Sequence, residues 1–210
     1  MSRVPQVVAA VGIPMVWSNW ALPALGLGVR GRTVVNAGFA TAYGFAFRGE
    51  PNWFSAKGFR FGTGSAALVV AGYAAALAIP SVRKGLRDYT DRGPDVSTTE
   101  WVAVHIPIGT VYSEELIFRA TLDPVLDNAF GSRIGSVLSA LTFGLWHITP
   151  ARSVGDSVPV AVAATAAGGF ALGWLRRRTA SATAPALLHL AINAGGAIAP
   201  RLARSLPTAR

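Results

Sequence analysis

Six ionisable side chains stand inside otherwise apolar stretches of this chain: His105, Glu114, Glu115, Arg119, His147 and His189. Such a group costs several kcal/mol in hydrocarbon, so it is kept where it faces a bundle interior and does chemistry. Three stretches carry polar groups or their neighbours at a spacing of four: Glu115 with Arg119, Phe143 with His147, and His189 with Asn193. Residues at i and i+4 share one face of a helix. Glu114 and Glu115 are adjacent, and successive helical residues are turned by about 100°, so their carboxylates point apart. The natural division pairs Glu115 with Arg119 and leaves Glu114 free to act on a substrate.

Each pair alone has a plainer reading. A buried Glu–Arg pair can staple helices, and a buried histidine is often just a satisfied hydrogen-bond donor. Two histidines, two glutamates and an asparagine on successive apolar segments are a different matter, because their convergence builds a polar pocket within the membrane. His105 lies nine residues before Glu114, about 180° around an α-helix, and is expected to cap or line the bundle instead of joining the pocket. Asp123 and Asp127 are expected on a solvated face.

The elements that would carry these groups are membrane helices. Of 210 residues, 51% are hydrophobic and 14% charged, against roughly 25% charged in soluble domains. No Lys, Arg, Asp, Glu or His occurs from Val4 to Val29, Phe61 to Val82, Ser157 to Leu175 or Thr179 to Leu188. A crossing helix needs about 20 apolar residues, and a soluble amphipathic helix would show a polar stripe that these runs lack. The fold class is therefore all-α, a polytopic transmembrane bundle of about seven helices. They are expected near 5–28, 33–48, 62–82, 99–129, 132–149, 157–175 and 184–203, the second short enough to be tilted, re-entrant or interfacial. The first run exceeds a signal-peptide core and is expected to remain as a span. The chain divides into N-terminal membrane-spanning helices, 1–97, and a region carrying the polar groups, 98–203.

The net charge of +9 does not point to nucleic acid. Basic residues are scattered through the connections (Arg30, Arg32, Arg48 to Arg60, Arg83 to Arg92, Arg176 to Arg178) as at membrane flanks facing anionic headgroups. Trp17, Trp20, Trp53, Trp101 and Trp174 fall near expected helix ends, like interfacial anchors. Seven spans place Arg3, Lys57 and the triple arginine on one face, and Arg83, Lys84, Arg87 and Arg92 on the other. The two faces are nearly balanced, so charge does not set the orientation. With no cysteine, disulfides and thiolate metal sites are excluded.

In this setting Glu114-Glu115-Leu116-Ile117-Phe118-Arg119 resembles the E-E-x-x-x-R signature of the CAAX-protease and bacteriocin-processing family of intramembrane proteases. Phe143 to His147 is similar to that family's F-x-x-x-H, and His189 to Asn193 to its closing H-x-x-x-N. The resemblance covers about Thr99 to Pro200. Where the family often reads Thr-Gly-Ser before the last helix, this chain has Thr179-Ala180-Ser181.

The resemblance implies an intramembrane endopeptidase acting on peptides or membrane proteins in the lipid bilayer, in a bacterial-type plasma membrane. Glu114 would be general base on a water, and His147 would hold that water and protonate the leaving amine. His189 and Asn193 would donate to the oxyanion. Glu115, Arg119 and Phe143 would support the site. No cofactor is favoured; the alternative is zinc on Glu114, His147 and His189, although H-E-x-x-H is absent. Two rivals are a non-catalytic binding or bacteriocin-immunity protein of the same fold and a small transporter using a proton relay. The transporter is expected to show inverted repeats, and none is found.

Overall fold

The computed structural model describes residues 4–89 and 93–206. Arg3 and Arg92, counted among the flank charges, lie outside them. Among the described residues every regular element is helical. The helices are α1 (Val4–Ala24), α2 (Val29–Ala46), α3 (Ala56–Ala78), α4 (Pro80–Arg87), α5 (98–130), α6 (132–146), α7 (Ile148–Ser153), α8 (Val158–Thr179) and α9 (Thr183–Ser205). Seven are long, α4 and α7 are short, and the bundle is all-α as its hydropathy requires.

The boundaries have local causes. Ser55 caps α3 by accepting from the Gly58 amide at 2.9 Å, and Ser97 caps α5 from the Glu100 amide at 3.1 Å. Such caps satisfy amides that have no partner within the helix. Pro80 and Pro159 occupy first-turn positions, where a missing N–H costs nothing. At Gly131, φ of 77° with ψ of 158° ends α5 and starts α6, a conformation open to glycine and costly to other residues. Several expected bounds shift by a few residues. The largest change is α3, which runs 56–78 instead of 62–82, capped early by Ser55 and ended before Pro80 begins a new helix; α6 stops at Trp146 instead of 149.

Among the described residues, three helices are long and apolar enough to cross a membrane by themselves: α1, α3 and α8, with mean hydropathy of 1.4, 1.5 and 1.6. Other helices carry the polar groups, which lowers their hydropathy. Burial supports a lipid setting. In α3 only Gly58 and Gly62 are buried, while Leu68 and Val70 point outward, as do Phe45 on α2 and Val160 on α8. Apolar faces this extensive call for apolar surroundings. The protein is a membrane protein.

The core lies on the inner faces of α1, α2, α5, α6 and α8, around Ala10, Tyr43, Ile117, Phe118, Leu126, Phe143, Trp146 and Leu172. α3 packs along α9 and α6 along α8, with α2 laid on α5. The α6–α8 contact depends on Gly144, where an added Cβ would lie 2.7 Å from the Val162 carbonyl oxygen.

α5 is not a regular α-helix. Residues 101–112 and 115–122 adopt wide π turns, as do 17–21 in α1. The Ser113 hydroxyl donates five residues back to the Ile108 carbonyl at 3.0 Å, and Thr121 to Leu116 at 2.7 Å. π turns gather at functional sites because they re-aim side chains.

Candidate active site

Glu114 sits on the short α-helical step between the two π segments of α5 and is buried. Its Oε1 accepts from Trp146 Nε1 at 3.2 Å. Its Oε2 is buried with no hydrogen-bond partner among the described residues and lies 3.8 Å from His189 Nε2. His189, on α9, turns its other nitrogen to Glu115, with Nδ1 and Oε1 at 2.8 Å. A carboxylate only accepts, so Nδ1 carries the proton. The two glutamates thus grip opposite sides of one imidazole.

Glu115 also faces Arg119, with Oε2 and Nε at 3.6 Å, both side chains being fully buried. The Arg119 guanidinium stands over the Phe143 ring, 4.8 Å from its centroid, an arrangement that favours a desolvated cation. Phe143 meets Phe118 edge-on at 4.9 Å, His147 at 4.8 Å and His189 at 6.2 Å. It is the common neighbour of the two histidines. Gly169 makes room for it, since a Cβ there would come within 2.9 Å of the ring.

His147 follows the last residue of α6. Its Nδ1 lies 2.7 Å from the Phe143 carbonyl oxygen, which can only accept, so Nε2 is the acceptor nitrogen of the neutral ring. The end of α6 is held from α1. Ser18 donates to the Trp146 carbonyl at 2.6 Å and Asn19 to that of Leu145 at 3.2 Å, while the Thr149 amide donates to Asn19 Oδ1 at 3.0 Å. These contacts satisfy carbonyls that a helix end leaves without partners. Asn193, one turn beyond His189, is half-buried.

A cavity of about 460 Å³ reaches Glu114 and Trp146 between α1, α2 and α5, with Leu27, Pro94 and Val154 among its outer residues. His105 lines it too. Ideal α geometry puts His105 opposite Glu114, but residues 101–112 make wide π turns, which advance less per residue. Both side chains border the same cavity. The buried His105 bonds Thr33 Oγ1 at 2.8 Å and Glu100 Oε1 at 3.0 Å.

Asp123 corrects the sequence reading. It is 1% exposed, not solvated. Arg119 lies 3.8 Å from one of its oxygens and Arg177 3.5 Å from the other. Asp127 is partly exposed and takes a two-pronged contact from Arg177 at 2.8 and 2.9 Å. Two of the three clustered arginines therefore turn inward, because Arg176 donates to the Arg119 carbonyl at 3.0 Å. Arg178 instead stands over the Phe61 ring. The signal available in the sequence was the run Glu115, Arg119, Asp123, Asp127 at steps of four. Ala180 adopts φ of 53°, the left-handed region, which is where a glycine would be at ease.

Residues 97–195 match the family model described as type II CAAX prenyl endopeptidase, Rce1-like. This stretch, just under half of the chain, is similar to that family. Searches of curated proteins and of solved structures gave no match. The match begins at the cap of α5 and ends just past Asn193, so it contains all three motifs. The family is one of proteases, which makes this chain a candidate CAAX-type peptide hydrolase whose substrate is a peptide or protein met at the membrane.

Proposed function

We propose that the protein is an intramembrane endopeptidase in which Glu114 activates a water for attack on the scissile carbonyl. The observation that carries this reading is the Glu114 carboxylate, anchored by Trp146 through one oxygen and facing His189 Nε2 with the other, at a cavity wall. Two acceptor atoms 3.8 Å apart are reconciled by a water that donates one proton to each. Glu114 would then take a proton as the water attacks. With Nδ1–H engaged by Glu115, His189 has Nε2 directed at the reacting atoms. Once protonated, it donates to the oxyanion. The proton taken by Glu114 would then pass to the leaving amine, relayed by His147 Nε2, and Asn193 would add an amide donor.

A zinc alternative needs Glu114, His147 and His189 to converge. Among the described residues, no three His, Asp or Glu side chains are grouped so as to hold a metal ion. Glu114 Oε2 and His189 Nε2 lie 3.8 Å apart, a spacing that two ligands of one ion could share, while His147 is not grouped with them. We favour the metal-free reading on that geometry.

The test compares membrane-protein and secreted-peptide termini in cells carrying wild type or Glu114→Gln. Termini that vanish with the substitution identify a protease and its substrates. Identical termini, with any phenotype surviving the substitution, would favour a non-catalytic binding or immunity role.

A further inference from the structure

We propose that Asp123 and Arg177, outside the three motifs, are positioning residues that act through Arg119 on the Glu115 carboxylate holding His189; the inference rests on the protease reading above. The charges form one chain. From His189 it passes to Glu115 at 2.8 Å, to Arg119 at 3.6 Å, to Asp123 at 3.8 Å, to Arg177 at 3.5 Å and to Asp127 at 2.8 Å. Four of its six members stand at steps of four along α5, so they form one stripe. Arg177 enters from α8 and His189 from α9, so the chain ties three helices together.

Its middle link is the informative one. Arg119 lies almost midway between Glu115 and Asp123, and none of its guanidinium nitrogens makes a short hydrogen bond among the described residues. All three side chains are nearly inaccessible, so their attraction is weakly screened. A cation shared by two carboxylates goes further toward whichever is left stronger. Arg177 tempers Asp123, and Asp123 holds Arg119 back from Glu115. Glu115 therefore keeps enough negative charge to fix the Nδ1–H tautomer and the ring orientation of His189. Arg176 holds the same turn of α5 through the Arg119 carbonyl and also donates to that of Glu50 at 3.2 Å.

This arrangement predicts effects of opposite sign. Asp123→Asn releases Arg119 to Glu115 and weakens the bond to His189. Arg177→Gln leaves Asp123 stronger, draws Arg119 away, and strengthens that bond. A merely structural role would give losses in one direction.

The chain has three histidines, so nitrogen-15 histidine labelling of the whole protein in lipid nanodiscs isolates His189, assigned with His189→Gln. At one neutral pH the His189 Nδ1–H resonance is expected to move upfield in Asp123→Asn and downfield in Arg177→Gln, with Arg177→Lys near wild type. If Asp123→Asn does not fold, Asp127→Asn, at the partly exposed end, gives a smaller upfield shift. Cleavage of an internally quenched farnesylated peptide with a CAAX-type terminus should lose about 10- to 100-fold in kcat in Asp123→Asn, with KM within about twofold. Unmoved resonances, or shifts of one sign in both variants, overturn the proposal. Opposed shifts in a protein that shows no Glu114-dependent termini would leave the chain standing and remove the protease reading. Normal cleavage with unmoved resonances would do the reverse.

Discussion

α3 and α5 differ in how each is stabilised in the bundle. α3 buries only Gly58 and Gly62 and presents Leu68 and Val70 outward. It needs length, hydropathy and one close approach to α9. From Glu115 to Leu122, by contrast, α5 is buried at every position, with Glu115 and Arg119 wholly inaccessible. An apolar helix is stabilised by its surroundings as a whole, whereas a charged buried one depends on particular partners. Substitutions in the first kind are absorbed; in the second kind, removing one partner leaves another charge exposed to the full desolvation cost.

The contrast does not follow the boundary between 1–97 and 98–203. α1 and α2 lie outside the family match, yet they send Ser18, Asn19, Thr33 and Asn36 to the site. Trp17 Nε1 donates to Asn36 Oδ1 at 2.8 Å, and Asn36 in turn donates to the Gly109 carbonyl at 2.6 Å, within the π segment of α5. The first two helices are part of the scaffold that presents the motifs.

The largest effect that could break this comparison is Arg119→Met. It leaves Glu115 and Asp123 buried without their shared cation and should cost about 3–5 kcal/mol. Thermal unfolding in detergent would read this as loss of a cooperative transition, and a transition close to wild type would mean that the charges are not structurally coupled. Gly169→Ala comes next. Pushing Phe143 from its place should cost about 1–3 kcal/mol and lower cleavage by disturbing the histidines on either side. Unchanged activity with unchanged stability would show that the ring has room to move.

Asn19→Ala removes side-chain bonds to the Leu145 carbonyl and the Thr149 amide and should destabilise by about 1 kcal/mol. Its effect on cleavage should exceed its effect on stability, because it frees the end of α6 at His147. Equal, small effects would place α1 outside the working scaffold. The smallest is Leu68→Ala on the outward face of α3, expected within about 0.5 kcal/mol and without effect on cleavage. A large loss there would mean that this face is covered by protein instead of lipid.

Much of this was legible without coordinates. The uncharged runs give the helices and the bundle, since spanning length and lack of charge are local properties. The steps of four place Phe143 with His147, because α-helical periodicity acts within one element, and they give the Glu115–Arg119 contact, which persists in the wide turns of 115–122. The adjacency of Glu114 and Glu115 gives them different partners, Trp146 and Arg119, but not their meeting on opposite sides of His189. His105 is buried against Thr33 and Glu100, and its place on the cavity that Glu114 reaches was not legible because nothing in residues 101–112 announces the wide turns. The left-handed backbone at Ala180 was foreshadowed only by its departure from a glycine.

The sequence alone determined that charged groups lie in apolar helices and which of them share a face, because both follow from composition and helical pitch. Tertiary structure decided which charges are buried. Asp123 reads as a surface residue until Arg177 arrives from α8, and His189 acquires its orientation only where α9 meets Glu114 and Glu115 on α5. The cost of desolvating a charge is met by a partner distant in sequence, and only the folded chain brings the two together.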